Sequence, residues 1–501
     1  MDKRIQKSKE TNEGNRCFSG ESNQRTCSQK KAGRKPKEEE PGINNIGDLL
    51  SAVLHYIPLF ITWLSEVEDP RRIDRIIHLP EVIILITILE RLCGTDSRTK
   101  ITLHNKNKIF KENLEILLKR KLEYLPHGDT VNYFFENLHP NELDKILVKM
   151  IHALRKKKIL KIFKYKNHYL VAIDGVHLKT SKQPLPNSLK FKLKDGSIEY
   201  RQYALEAKLV SPAGPVFSIG STFIGEDDLP SETSEIKTDA EGKITEYPKQ
   251  DCELKAFKRL IEEIYINYPQ WNFVLLLDAL YMSKSVIEIA NKYNWWYAIA
   301  LKKGSAPVLY ESAMQAIKKD YRTRIKNSDG TVLEWANGVI WNNGDKEYRI
   351  NVIGTEKVNN DGWAFLYATN IFINKNEAQI LQDEVCRERW KIENQGFREQ
   401  KHCGLELEKA FGTRKHAALN YYKIVQITHL IRVLIFHSNI FRTLQRIDNK
   451  GIIKETIQKP MLEFFKTIKH FVNEFARSIF SYKLTLRNKE FQRLEFAVPY
   501  S

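Results

Sequence analysis

Residues Asn167–Gly175 read NHYLVAIDG, and the fold turns on them. A short apolar run that closes on an acidic residue and a glycine predicts a buried strand stopping at a sheet edge. A second run, WNFVLLLDALY from Trp271 to Tyr281, has the same plan, with Asp278 directly after its apolar core. Between the two, RQYALEAKLV and GPVFSIGSTFIG predict further strands, and KQDCELKAFKRLIEEIYINY predicts an amphipathic helix. After Asp278, SKSVIEIANKYN reads as a helix and WWYAIALK as a strand. Three strands, helix, strand, helix, strand is the order of a mixed α/β sheet.

The flanks have other patterns. Residues 1–45 are polar and lysine-rich and cannot bury enough apolar surface to fold alone, so a disordered basic tail is expected there. Its GRKP, Gly33–Pro36, is similar to a minor-groove hook, a pattern that basic tails also produce by chance. Over 46–165 apolar residues recur at helical spacing, with helix-start signals at Asp129-Thr130 and Pro140-Asn141. This helical region ends in RKKKILKIFKYK, where Lys156, Lys157 and Lys158 form either a solvated helix face or a surface for DNA phosphates. The charge of the whole chain favours the second. The sheet pattern fills 166–302. Residues 303–375 alternate like strands and carry turns such as NNGD and NNDG, which predicts a β-rich insertion. Helical patterns return over 376–410 and continue through 411–501, whose apolar helices could supply a dimer contact.

At 501 residues the chain is long enough for roughly three domains. A content of 42% hydrophobic and 11% aromatic residues is enough to build real cores. Lys and Arg number 80 against 62 Asp and Glu, a formal charge of +18, and so large an excess points to a polyanionic partner. A membrane is not expected as that partner. The apolar run LPEVIILITILERLCG is shorter than the roughly 20 residues a bilayer needs, and YYKIVQITHLIRVLIFHSN is broken by Lys423, His429 and Arg432. Both read as buried helices. The opening MDKRIQKSKETNEGNR lacks the apolar core of a signal peptide. None of the cysteines (Cys17, Cys27, Cys93, Cys252, Cys386, Cys403) forms a CxxC pair, so reduced thiols in a cytoplasmic protein are expected.

Asp174 and Asp278 each follow a hydrophobic strand core, and open α/β sheets place their ligands at such strand ends. On neighbouring strands the two carboxylates would converge. Carboxylates that close repel each other and need a cation or a shared proton. A third carboxylate, from a helix laid across the sheet, would complete an oxygen set suited to Mg²⁺ or Mn²⁺. Glu393, within the helical RERWKIENQGFREQK of Arg387–Lys401, lies on the right kind of element. The alternative is that these acids are buried, hydrogen-bonded caps.

Four segments in this order, VAIDGVHLKTSK, KQDCELKAFKRL, LLLDALY and RERWKIENQGFREQKHCGLELEKAFG, resemble DDE transposases of bacterial insertion sequences. The likeness covers about 165–415 and is greatest to the cut-and-paste group in which a β-rich insertion precedes the glutamate. It implies an RNase H-like catalytic core, with two divalent ions, Mg²⁺ or Mn²⁺, held by catalytic Asp174, Asp278 and Glu393. The implied partner is double-stranded DNA, as transposon ends and target, with a homodimer pairing the ends. Related transposases carry Y-x2-R-x3-E-x6-K around the glutamate. Arg389 and Glu393 match it, one helical turn apart, and an arginine there can grip a phosphate; it could also serve only as an ion-pair partner of Glu393. Cys386 stands in place of the tyrosine and Gln400 in place of the lysine. Lys401, one residue later, lies roughly 80° round an ideal helix from Glu393 and is expected to reach DNA through its length.

Other residues have blander readings. Trp390 and Phe397 are expected as core anchors, Trp295 and Trp296 as packed rather than base-stacking, and His177 as a surface or packed histidine. Two rivals to a transposase remain: a metal-dependent nuclease that cuts without joining, and a relative that only binds DNA as a regulator.

Overall fold

NHYLVAIDG forms the first half of the central strand, His168–Ser181. Tyr169–Ala172 pairs parallel with Phe273–Leu277, and from Val171 onward the strand pairs antiparallel with Ile198–Val210. The expectation that it stops at Gly175 is corrected. The alternating VHLKTS that follows keeps its partner out to Ser181, so Asp174 lies mid-strand, where the parallel neighbour has ended. Phe273–Leu277 is buried at every position, as a continuous apolar run covered on both faces should be.

The structure is a computed structural model that describes residues 46–193, 195–225, 237–238, 244–246, 251–319, 323–328, 330–344, 346–356, 363–438, 445–447, 453–456 and 467–486. The expected basic tail 1–45, with Gly33–Pro36, lies outside them. Among the described residues, eleven strands form one mixed sheet. Along it run 324–326, 332–343, 346–356, 363–369, 296–300, 273–277, 168–181, 198–210 and 189–192, with Lys164–Tyr165 also paired to 168–181 and Val216–Ile224 to 198–210. The strands expected in 303–375 are present and extend this same sheet, through pairing of Trp363–Thr369 with Trp296–Ala300. That stretch opens with a helix, Pro307–Lys319, which the β-rich expectation did not include.

Seven α-helices lie between Ile46 and Lys156. Pro80–Leu92 is buried throughout, with Pro80 in the first turn where its missing N–H costs nothing. The other apolar run forms Ala417–His437, buried nearly all round. Its charged residues are paired: Lys423 with Asp144, and His429 and Arg432 with Glu399. No described helix is long and apolar enough to cross a membrane.

The helix Ile468–Ser481 docks back on Lys108–Leu118 through one fully buried side chain. Asn113 donates to the carbonyls of Ile479 (2.8 Å) and Tyr482 (2.9 Å) and accepts from the Leu484 amide (2.8 Å). Asn113→Ala strands these buried groups and should cost at least about 2 kcal/mol. A urea titration should show a lower midpoint, and limited proteolysis should show earlier cleavage near residues 467–486.

Candidate active site

The parallel register pairs Tyr169 with Phe273 through Ala172 with Leu276. The pairing ends there; Asp278 follows the last strand residue, Leu277, and Asp174 lies two residues beyond the last parallel pair on its own strand. Each aspartate uses one oxygen as a local cap: Asp174 accepts from the Gly175 amide (2.9 Å) and Asp278 from the Leu280 amide (2.8 Å). The second oxygen of Asp174 meets Arg389 Nη1 at 3.0 Å, and the same nitrogen lies 3.0 Å from Glu393 Oε1. One guanidinium thus bridges the strand acid and the helix acid. The ion pair weighed as an alternative for Arg389 is present and extends to Asp174.

The Glu393 segment is an irregular helix. It is π-helical over Leu381–Val385, 3-10 over Cys386–Arg389, π-helical again over Ile392–Phe397 and α-helical over Arg398–His402. This corrects the phase expected for Lys401. A π-turn takes up one more residue than an α-turn, so the eight residues from Glu393 to Lys401 fill about two turns. Lys401 consequently shares an open cleft of about 600 Å³ with Asp174, His177, Glu393, Arg398 and His402. Its Nζ donates to the His177 carbonyl (2.9 Å) and pairs with Glu408 (2.7 Å). Gln400 is fully buried instead, and neither of its side-chain polar atoms has a hydrogen-bond partner among the described residues. Cys386 is also buried, and burial pushes its thiol up, so it packs where the related transposases carry a tyrosine.

Glu253, in the first turn of the helix Glu253–Asn267, is a further acid beside the site. Tyr281 Oη donates to it at 2.6 Å, and burial and then nearby Asp278 act to raise its carboxyl. The same carboxylate lies 3.3 Å from where a Cβ on residue 175 would stand, which leaves little room beside Asp174 for anything larger than Gly175. The sequence held this residue within KQDCELKAFKRL, but a glutamate in a first helical turn is too common to single out.

Other expectations fare unevenly. Phe397 is buried, but Trp390 is 46% exposed and so is no core anchor; Arg389 lies against its ring instead. Trp295 is buried, and Trp296 stacks on His168 with ring centroids 3.6 Å apart, so both pack. His177 is exposed and bonds Thr180. Lys156, Lys157 and Lys158 are exposed at the end of the helix Asn141–Lys156 and make no ion pair among the described residues. They are not brought to the acids: the run leads into the start of the central strand, six residues and about 20 Å of strand before Asp174.

Among the described residues no set of three or more His, Cys, Asp or Glu side chains is gathered as a metal cluster. The Arg389 guanidinium stands between two of the three acids. Asp174 is pushed up to about 7: burial raises it, Arg389 pulls it down and Glu393 raises it again. Because the folded chain keeps a proton that an unfolded aspartate loses near pH 4, the contribution of Asp174 to stability falls as pH rises from about 4 to about 7. Carboxyl carbon NMR should show Asp174 titrating lower in Glu393→Gln, which removes a like charge, and higher in Arg389→Gln. Unchanged titration in both variants would contradict this geometry.

Residues 61–151, within the helical region, match a family model described as DDE_Tnp_1-associated. No curated protein matches the chain. The matched domain is one associated with DDE transposases, and it indicates a DDE-type transposase family.

Proposed function

We propose that the chain is a transposase that cleaves transposon DNA ends and joins them to target DNA, with Asp174, Asp278 and Glu393 as the acids of an RNase H-like catalytic core. One observation supports this reading: Glu393 shares the Arg389 guanidinium with Asp174, and Asp278 directly follows the strand that pairs parallel with the strand of Asp174. The match over residues 61–151 supports it independently, because it lies outside the sheet.

The donor set fits a hard divalent cation. It is all carboxylate oxygen, and burial, then Glu393, push the Asp174 carboxyl up to about 7 against the pull of Arg389. Asp174, Asp278 and Glu393 would hold Mg²⁺ or Mn²⁺. The chemistry two such ions supply is activation of a water or a DNA 3′-hydroxyl and stabilisation of the leaving oxygen. The protein's own groups do the rest. Arg389, which neutralises the acids in the DNA-free chain, turns its guanidinium to the phosphate next to the scissile bond. Lys401 contacts phosphate in the same cleft. Lys156, Lys157 and Lys158 follow the DNA backbone further away, as an exposed cationic run can. Joining two ends requires a homodimer on DNA, in the cytoplasm.

The test is a strand-transfer assay with pre-cleaved ends, a plasmid target and Mg²⁺. Wild type should give joined products, and Glu393→Gln should lose at least about 10²-fold, the scale of removing a group that stabilises transition-state charge. Cutting without joining would identify a nuclease. Binding without either would identify a regulator. Equal joining by the variant would make Glu393 an ordinary helix carboxylate.

A further inference from the structure

Behind the acids lies a buried ion pair that the proposed chemistry does not use. Glu206, on Ile198–Val210, is the direct cross-strand partner of Asp174, so the two side chains stand on one face of the sheet. Glu206 and Lys208 are both fully buried. Glu206 Oε1 accepts from Lys208 Nζ and Ser218 Oγ, and its Oε2 accepts from Tyr422 Oη on the long C-terminal helix. One turn along that helix, Gln426 takes the Ser221 hydroxyl at 3.1 Å.

Lys208 is one of the side chains against which the Glu393 helix packs. A Cβ on Gly396 would lie 2.8 Å from both Cδ and Cε of Lys208, so the backbone sits directly against the lysine stem. The ammonium lies 5.1 Å from the centre of the Phe397 ring. Gly396 and Phe397 are three and four residues past Glu393, inside the π-turn that sets the phase of Lys401. A buried pair of this kind is a poor source of stability, since a well-packed apolar replacement is often neutral or better. Its placement has a better explanation.

We propose that Glu206 and Lys208 are positioning residues: the buried pair sets where the Glu393 helix crosses the sheet, and so the separation of Glu393 from Asp174. What the helix delivers rests on the transposase reading; the brace itself does not.

Two variants test it from opposite sides. Glu206→Gln with Lys208→Met keeps volume and leaves the introduced amide able to bond Ser218 and Tyr422, but removes the charges that hold the stem extended. Gly396→Ala keeps the pair and pushes the helix off it. Each should fold with a thermal midpoint near wild type and bind end DNA within twofold of wild type. Hydrogen exchange over residues 390–402, measured without DNA or metal, should accelerate at least tenfold. Joining at saturating DNA should fall at least tenfold, and the Mg²⁺ concentration for half-maximal rate should rise. Unchanged exchange over 390–402 in both variants would overturn the brace, whatever the joining assay gives. A wild-type chain that fails to join would overturn the transposase reading while leaving the exchange result to decide the brace.

Discussion

Carboxylates brought together at one edge of a sheet repel one another, and the arrangement around Asp174 answers to that repulsion. Burial and Glu393 push its acid up, and Arg389 pulls it back. A single guanidinium shared at 3.0 Å by two acids is a makeshift neutralisation: it leaves Asp278 to a backbone amide and Glu253 to a tyrosine hydroxyl. A chain selected for stability alone has no reason to gather these groups, since each would cost less at the surface. Strain of this kind is expected at functional sites.

The rest of the fold delivers the acids to that edge. Parallel pairing with Phe273–Leu277 ends just before Asp174 and Asp278, and antiparallel pairing with Ile198–Val210 fixes Glu206 opposite Asp174. Glu393 comes instead from a helix that crosses the sheet. That helix departs from α geometry where it meets the lysine stem, and the extra residue of its π-turn turns Lys401 toward the cleft and Gln400 into the core. The long C-terminal helix then holds the arrangement from behind, through Tyr422 on Glu206 and through His429 and Arg432 on Glu399.

The main strands of the core were legible, though the short Leu189–Lys192 was not, because a buried parallel strand is a run of apolar residues with an abrupt polar stop, as in VLLLD. Asp174 and Asp278 were singled out for the same reason: a carboxylate directly after such a run is out of place without a purpose. What stayed hidden depends on geometry that no spacing rule encodes. Ideal-helix counting put Lys401 off the Glu393 face, because a π-turn leaves no mark in composition. The strand of Asp174 runs on past Gly175, since alternation can outlast the loss of one neighbour. Trp390 looked like a core anchor by its size, yet the winding of its helix turns it outward. Glu206 and Lys208 are two residues apart in RQYALEAKLV, and only packing reveals both as buried.

The most direct measurement is anomalous diffraction from crystals of the chain bound to end DNA and soaked in Mn²⁺. The account predicts Mn²⁺ held by oxygens of Asp174, Asp278 and Glu393, with the Arg389 guanidinium moved off the acids and onto a phosphate. Mn²⁺ absent from these three acids, with Arg389 still bridging Asp174 and Glu393 in the presence of DNA, would contradict it.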